Sequence, residues 1–184
     1  MKRCLKTLIA LALAAQLALV PAAGAKSTMK RLGTDPAMDA APALDVTYLD
    51  VGAANQKLEI RLGIANMLPG TGGYPVLPGI EWSFTTGGRT FVAEAVATES
   101  GGDYYLFEAT KNGFQQLETP TGTYDFADGY ASVIIPFKTI GIRKGSVLSG
   151  ADTGAGADVD AHVHLAAVTH YEDTMATTKK FIVP

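Results

Sequence analysis

The sequence predicts an all-β protein, a single antiparallel β-sandwich of about nine strands, immunoglobulin-like or jelly-roll-like, with a barrel as the alternative. Three observations predict this fold. Apolar and polar residues alternate over residues 58–64, which is the period of a half-buried strand. Turn dipeptides punctuate residues 80–135 at intervals that leave room for short strands on each side. No helical period follows residue 25.

The first 25 residues have the three parts of a secretory signal peptide. Lys2, Arg3 and Lys6 precede an apolar run of 13 residues, and small residues close the segment in an A-x-A site. The apolar run is shorter than the roughly 20 residues that a membrane-spanning helix needs. We therefore expect cleavage after Ala25 and a secreted or periplasmic protein, with an uncleaved membrane anchor as the alternative.

The mature chain that cleavage leaves, residues 26–184, is acidic and free of cysteine. The full chain has 184 residues, 47% of them hydrophobic and 18% charged, which fits one ordered domain and excludes disorder as its main state. Cleavage removes three of the 15 cations and none of the 18 acids, so the net charge changes from −3 to −6. An acidic chain argues against nucleic-acid binding, and we expect no membrane contact after cleavage. Cys4 is lost with the signal peptide, which suits an oxidising compartment.

The mature chain divides into a tether and a strand-rich domain. Residues 26–43 have no period, which predicts an N-terminal tether and loop, and residues 44–184 are predicted to form the β-sandwich. Four dipeptides predict hairpin turns, because glycine accepts the positive φ that tight turns need. They are Gly87-Gly88, Gly101-Gly102, Asn112-Gly113 and Asp128-Gly129.

Two of these turns predict a strand register. A two-residue turn at residues 87–88 places three apolar pairs on one face: Phe84 with Phe91, Trp82 with Ala93 and Ile80 with Ala95. A two-residue turn at residues 128–129 predicts two further pairs: Phe126 with Ala131 and Tyr124 with Val133. Later strands are predicted over residues 130–137, 161–168 and 179–183.

Aromatic residues cluster around one hairpin, and three of them are candidate ligand-binding residues: Tyr104, Tyr105 and Phe107, with Phe114 close by in sequence. Exposed aromatic rings on a β-sandwich are able to stack on sugar rings. The alternative interpretation is core packing, because strand alternation turns at least half of these side chains inward.

Three carboxylates near the start of the domain are candidate metal ligands. Asp35, Asp39 and Asp45 lie within eleven residues, on a loop that enters the first predicted strand. Carboxylate oxygens are the ligands that Ca²⁺ prefers, so the sequence predicts a possible calcium site, to which Asp158 and Asp160 are further candidates. The alternative interpretation is a solvated acidic loop.

No catalytic residue is predicted. His162 and His164 lie two residues apart in a predicted strand and point away from the core, but a metal site needs a third ligand and His170 is too distant along the strand. The tripeptide at residues 152–154 spells an aspartic-protease motif, yet it lies in a Gly- and Ala-rich loop and has no second copy. No nucleophile motif occurs. We expect a non-enzymatic protein.

The order of several segments resembles secreted bacterial β-sandwich modules of the DOMON and carbohydrate-binding-module-like type. The segments are Asp35-Pro-x-x-Asp39, Leu44-Asp45-Val46, Val133-Ile-Ile-Pro136-Phe-Lys-Thr-Ile140-Gly141 and Lys144-Gly145-Ser-Val-Leu148. The resemblance covers roughly residues 35–184 and implies a non-catalytic module that binds sugar, haem or calcium or supports a neighbouring enzyme. For a haem-binding member it implies axial Met and His ligands, which Met67 with His162 or His164 would match.

The sequence therefore predicts an exported binding module for carbohydrate or another extracellular ligand. A structural or adhesive cell-surface protein is the first alternative, and a haem-binding domain or a secreted hydrolase is the second. Two or more exposed aromatic rings on one face would favour the carbohydrate-binding module.

Overall fold

The computed structural model describes residues 27–35, 45–65, 78–98, 101–150, 160–165, 171–175 and 177–184. These residues form antiparallel sheets with almost no helix, which confirms the all-β prediction. The predicted signal peptide lies outside the described residues, as do Asp39 and Met67. Within the described ranges, no helix is both long and apolar enough to span a lipid bilayer.

The described residues form thirteen strands and one helical turn, where the sequence predicts about nine strands. In chain order they are β1 (Lys30–Thr34), β2 (Val46–Ala54), β3 (Lys57–Ile64), β4 (Pro78–Thr86), β5 (Arg89–Thr98), β6 (Gly101–Thr110), β7 (Gly113–Gln116), β8 (Thr121–Asp125), β9 (Tyr130–Pro136), α1 (Phe137–Ile140), β10 (Val147–Leu148), β11 (Asp160–Leu165), β12 (Tyr171–Met175) and β13 (Phe181–Ile182). The additional strands are mostly short, which is why no sequence period marks them.

The strands pair antiparallel in three sheets. A five-stranded sheet has the order β1-β2-β3-β9-β8, and a six-stranded sheet has the order β12-β11-β4-β5-β6-β7. Strands β10 and β13 form a two-stranded sheet. Backbone hydrogen bonds between Thr85 and Ser149 tie the segment after β10 to the end of the six-stranded sheet.

Alternation along the strands separates a buried face from an exposed one. In β3, Leu58, Ile60 and Leu62 are fully buried while the residues between them are not, which confirms the predicted half-buried strand. Strands of both large sheets contribute to one buried cluster, with Ile60 in the five-stranded sheet and Trp82 in the six-stranded sheet. Burial of these apolar side chains is the main favourable term in folding.

The hairpin between β4 and β5 forms with the predicted register. Phe84 pairs with Phe91 and Trp82 pairs with Ala93, as a two-residue turn requires. Gly87 and Gly88 have φ values of 57° and 75°, which are accessible to glycine without strain and give the twist that joins antiparallel strands.

The predicted register of the β8–β9 hairpin is wrong by two residues. Tyr124 pairs with Ala131, not with Val133, so the turn contains four residues instead of two. The carboxylate of Asp125 accepts hydrogen bonds from the backbone N–H groups of Ala127 and Asp128, at 3.1 and 3.0 Å. This side chain satisfies the backbone of a longer turn, as Asp commonly does. Because the shift is an even number of residues, the same side chains still face the core.

Two other predicted turns are displaced along the chain. Gly101 and Gly102 lie in β6, where they pair with Thr98 and Ala97 of β5, so the predicted turn at these two glycines is wrong. Thr110 pairs with Gly113, so the next turn consists of Lys111 and Asn112. Unlike Gly87-Gly88, these two dipeptides lie near a chain reversal without forming the turn as predicted.

The predicted N-terminal tether contains a strand. Leu32 in β1 is fully buried, and the hydroxyl of Thr177 donates a 2.8 Å hydrogen bond to the Leu32 carbonyl. This hydrogen bond therefore joins the C-terminal segment to β1. The helical turn α1 is also not predicted, since four residues are too few to show a period.

Candidate functional site

The solvent-facing side of the six-stranded sheet carries two neighbouring aromatic rings. Tyr105 and Phe107 lie two residues apart on β6 and are partly exposed. Their ring centroids are 6.4 Å apart and their planes differ by 23°. Side chains two residues apart share one face of a strand, so the two rings lie next to each other on this face with roughly parallel planes. The sequence predicted both residues as ligand-binding.

A third ring extends this surface to the edge of the sheet. Phe114 on β7 pairs with Ala109, which lies on the same face of β6 as Phe107. The Phe114 side chain is 70% exposed, the largest exposure among the described large hydrophobic residues. We call Tyr105, Phe107 and Phe114 the aromatic platform. The sequence places Phe114 in the aromatic cluster but does not predict it as a ligand-binding residue, because the face on which it lies depends on the β6–β7 register.

Acidic side chains flank the aromatic platform. Glu94 on β5 pairs directly with Tyr105, and Glu81 on β4 pairs directly with Glu94. Asp103 precedes Tyr105 by two residues and shares its face of β6. Among the described positions on this face of β4 to β7, none is Lys or Arg. The face therefore combines aromatic rings with negative charge.

Tyr104, the third predicted ligand-binding residue, lies on the opposite face of β6 from the aromatic platform. Its ring packs against the buried cluster and lies 6.4 Å from the ring of Tyr124. A Cβ atom at Gly122 would come within 2.2 Å of the Tyr104 ring, so the glycine is what makes room for this ring. The structure thus brings Tyr105 and Phe107 together and separates Tyr104 from them.

The calcium prediction is only partly covered by the described residues. Asp45 is 1% exposed, and its backbone carbonyl accepts a 2.8 Å hydrogen bond from Ala65. Asp35 is partly exposed, and its N–H donates to the Thr47 carbonyl at 3.2 Å. Asp39 lies outside the described residues, and the described residues contain no group of three side chains suited to a metal. A calcium site at Asp35, Asp39 and Asp45 stays a prediction.

Two histidines, His162 and His164, lie in β11, the strand next to β4 in the six-stranded sheet. His162 pairs in register with Glu81, and His164 pairs with Gly79. His170 and the tripeptide at residues 152–154 lie outside the described residues. The register thus places a histidine position at the end of the row that Glu81, Glu94 and Tyr105 form across β4, β5 and β6.

The exposed face of the five-stranded sheet also has aromatic rings, but guanidinium groups cover them. Arg31 lies 3.9 Å from the ring centroid of Tyr48, and Arg61 lies 4.1 Å from that of Tyr130. Arg31 also donates two hydrogen bonds to the carboxylate of Asp50. These contacts stabilise the sheet and occupy ring faces that a ligand would need. This face is therefore a poorer stacking surface than the aromatic platform.

Burial of three tyrosines predicts an alkaline limit to stability. Burial raises the pKa of Tyr48, Tyr104 and Tyr130, while the positive charge of Arg61 lowers that of Tyr48 and Tyr130 to a lesser extent. A raised folded-state pKa contributes stability that is complete below the unfolded value of about 10 and is lost as the pH rises through the folded-state pKa. We expect part of the tyrosinate absorbance to appear only when the protein unfolds at high pH. Titration of all seven tyrosines together near pH ~10 would contradict this.

A basic groove lies at the end of the domain where the β2–β3 turn meets α1. The groove has a volume of about 480 Å³ and a partly apolar wall that includes Phe137 and Ile142. Lys138, Arg143 and Lys144 line its rim. Lys138 also lies 3.8 Å from the carboxylate of Glu118, and both side chains are mostly exposed. None of the residues that line this groove belongs to the aromatic platform.

No family model, no curated protein and no solved structure matches this chain. The resemblance to DOMON and carbohydrate-binding-module-like proteins stays a prediction.

Proposed function

We propose that this chain is an exported, non-catalytic β-sandwich module that binds carbohydrate through the aromatic platform. The observation that carries the proposal is the pair of partly exposed, roughly parallel rings of Tyr105 and Phe107, whose centroids are 6.4 Å apart on one face of β6. The 70% exposure of Phe114 on the neighbouring strand extends the surface for a longer ligand. Exposed aromatic residues grouped on one face are unusual on a protein without a binding role.

The chemistry of a sugar ring suits such a surface. The C–H groups on one side of a pyranose ring are apolar and lie flat on an aromatic ring, while its hydroxyl groups point outward in the ring plane. Successive rings of an extended glycan are therefore able to lie along Tyr105, Phe107 and Phe114. Gln116, which pairs with Phe107, places an amide beside the rings, where it is able to hydrogen-bond a hydroxyl.

We also propose that a single β-sandwich supports this surface. The two large sheets share one buried cluster, in which Val133 and Leu106 come from different sheets. The six-stranded sheet then buries one face and leaves the other for the ligand, as antiparallel sheets commonly do. A sheet face is a rigid support, which reduces the entropy lost on binding.

Calorimetric titration with a panel of neutral and charged oligosaccharides tests the proposal. We expect binding by the wild type and a loss of about 3- to 10-fold in affinity for each of Tyr105→Ala and Phe107→Ala. Tyr130→Ala, on the exposed face of the other sheet, is the matched control and should keep wild-type affinity at an unchanged fold. Loss of binding in the control alone would place the ligand on the other sheet, and no binding to any oligosaccharide would favour a structural or adhesive surface protein. Release of shorter products would support a hydrolase instead.

Export is the second part of the proposal and has its own test. The positive N-terminal segment, the apolar run and the A-x-A site lead us to expect a mature protein that begins at Lys26. Intact mass of the protein recovered outside the cytoplasm should equal that of residues 26–184. A mass that includes residues 1–25 would contradict cleavage and support the membrane-anchor alternative.

A further inference from the structure

We propose that one end of the domain docks on a lipid bilayer that exposes anionic headgroups. This end consists of residues 137–148 and 179–184, that is, α1, β10, β13 and the residues beside them, and we call it the basic end. Docking there is independent of carbohydrate binding, because none of its residues belongs to the aromatic platform. The expectation of no membrane contact rests on the net charge of the whole chain, which takes no account of where the cations lie.

Positive charge is concentrated at the basic end of a chain that is acidic as a whole. Residues 129–151 and 174–184 contain five of the twelve cations that follow the predicted signal peptide and none of the acids. The side chains of all five are exposed. They are Lys138, Arg143, Lys144, Lys179 and Lys180. Of these five, only Lys138 makes an ion pair within the described part of the chain, at 3.8 Å from the mostly exposed Glu118. The basic end therefore attracts an anionic surface although the net charge is negative.

Two segments that are distant in sequence meet at the basic end. The N–H of Gly145 donates a 2.8 Å hydrogen bond to the carbonyl of Val183, and the N–H of Val183 donates one of 2.9 Å to the carbonyl of Ser146. Gly145 has a φ of 84°, which glycine adopts without strain in a turn. The cations that follow α1 and those that precede β13 are therefore held at the same end of the domain.

The outward face of the β10–β13 sheet is apolar. Val147 pairs directly with Ile182, and the two residues are 41% and 62% exposed. The next pair, Leu148 and Phe181, is buried, so this small sheet has apolar side chains on both faces. Among the described large hydrophobic residues, only Phe114 is exposed as well. Apolar side chains that are exposed together, and not singly, indicate an interaction surface.

Cations border this apolar pair at both ends. Exposed and buried residues alternate from Lys180 to Pro184, so Lys180 and Ile182 share one face at a separation of about 7 Å. At the other end, Lys144 and Pro184 both line the basic groove, together with two further cations. An apolar centre with a basic border is typical of surfaces that bind at a membrane interface, where aliphatic side chains enter the acyl region and cations contact phosphates.

The composition of the basic end favours a lipid surface over an acidic protein. Four of its five cations are lysines, which are depleted in protein–protein interfaces, and its exposed apolar pair is aliphatic, whereas the energetic centres of such interfaces are rich in Trp and Tyr. The flexible stem of lysine allows its ammonium group to follow headgroups that move in the bilayer plane. A soluble anion in the basic groove would leave Val147 and Ile182 exposed, and a bilayer would cover them.

Co-sedimentation with vesicles tests the proposal on the protein recovered outside the cytoplasm. The vesicles consist of phosphatidylcholine alone or of phosphatidylcholine with about one third phosphatidylglycerol, which supplies the negative surface potential. At low salt we expect the protein to bind the anionic vesicles at least ~10-fold more tightly than the neutral ones. Most of this difference should disappear at about 1 M salt, where the Debye length is ~3 Å.

Variants assign the binding to the basic end. Lys144→Gln and Lys180→Gln should each weaken binding to anionic vesicles by about 3- to 5-fold. Ile182→Ser should weaken it by about 3- to 10-fold, because it removes an aliphatic side chain that enters the acyl region. Lys111→Gln and Phe114→Ser remove an exposed cation and an exposed apolar side chain elsewhere, and should leave vesicle binding unchanged. Circular dichroism verifies the fold of each variant, and the two lysine variants suffice if Ile182→Ser does not fold.

Equal binding to neutral and anionic vesicles overturns the proposal, and so does wild-type vesicle binding by both lysine variants. Tighter binding of a polyglutamate peptide than of the anionic vesicles assigns the basic end to acidic proteins and also overturns it. Release from the vesicles by millimolar glycerol phosphate assigns the basic groove to a soluble anion, with the same consequence. Carbohydrate binding is tested separately, by Tyr105→Ala and Phe107→Ala, so either proposal is able to fail without the other.

Discussion

Truncation of Trp82 to alanine is expected to lower the free energy of unfolding by about 3–5 kcal/mol, as loss of a large buried aromatic side chain does. Trp82 is fully buried in β4 and belongs to the cluster that both large sheets share. It is the only tryptophan in the chain, so urea unfolding should be followed by circular dichroism in both proteins. A loss below about 1 kcal/mol would contradict the buried position and place Trp82 at the surface.

A second substitution at Trp82 distinguishes the effect of lost side-chain volume on the free energy of unfolding from the effect of the buried indole N–H. The indole Nε1 of Trp82 is buried and has no hydrogen-bond partner among the described residues. Trp82→Phe removes this N–H, whose burial without a partner costs about 1–3 kcal/mol, and keeps most of the apolar volume. We expect Trp82→Phe to cost less than half as much as Trp82→Ala. Equal costs would indicate that the N–H is satisfied in the folded protein.

Phe91→Ala is expected to be nearly as destabilising, at about 3–5 kcal/mol. Phe91 is fully buried, and its ring stacks on that of Phe84 with centroids 5.6 Å apart. The guanidinium of Arg89 lies 4.8 Å from the Phe91 ring and hydrogen-bonds the Glu108 carboxylate, so the truncation also removes the surface beneath this ion pair. Chemical denaturation gives the loss directly.

A double-mutant cycle checks the stacking itself. Phe84→Ala and Phe91→Ala combined should be less destabilising than the sum of the single variants, with a coupling of about 0.5–1.5 kcal/mol. Strict additivity for Phe84 and Phe91 would contradict the observed ring contact.

The sequence predicts the strands better than their turns. The alternation in β3 and the paired glycines at residues 87–88 give the correct strand and register, because both depend on local backbone preferences. The β8–β9 turn differs because the Asp125 side chain stabilises a longer loop, and no residue count reveals that hydrogen bond. Strand β1 is not predicted from the sequence, because its position depends on a hydrogen bond to Thr177, which lies far away along the chain.

The candidate site could be predicted only in part. Alternation requires that Tyr104 and Tyr105 face opposite sides, but β6 has aromatic residues on both faces, so its own pattern does not say which side is the core. The neighbouring strand decides it, because Ala95 pairs with Tyr104 and is fully buried. The pairing of Glu81 with Glu94 can be predicted from the sequence, because the glycine turn that sets the β4–β5 register also sets this pair.

Two surfaces of the domain compete for the role of binding site. The platform is aromatic with acidic neighbours, while the groove near α1 is concave and basic. A neutral sugar suits the platform, and a ligand with phosphate or carboxylate groups would suit the groove. The location of the bound ligand therefore shows which of these two surfaces is the binding site.

Chemical-shift mapping by NMR locates the ligand most directly. The isotope-labelled protein should be titrated with the oligosaccharide that binds best, and both backbone amide and aromatic side-chain signals followed. We predict that the largest changes fall on the rings of Tyr105, Phe107 and Phe114 and on the amides of β5, β6 and β7. Changes concentrated instead at Lys138, Arg143 and Lys144, with the platform signals unmoved, would contradict carbohydrate binding on this sheet face.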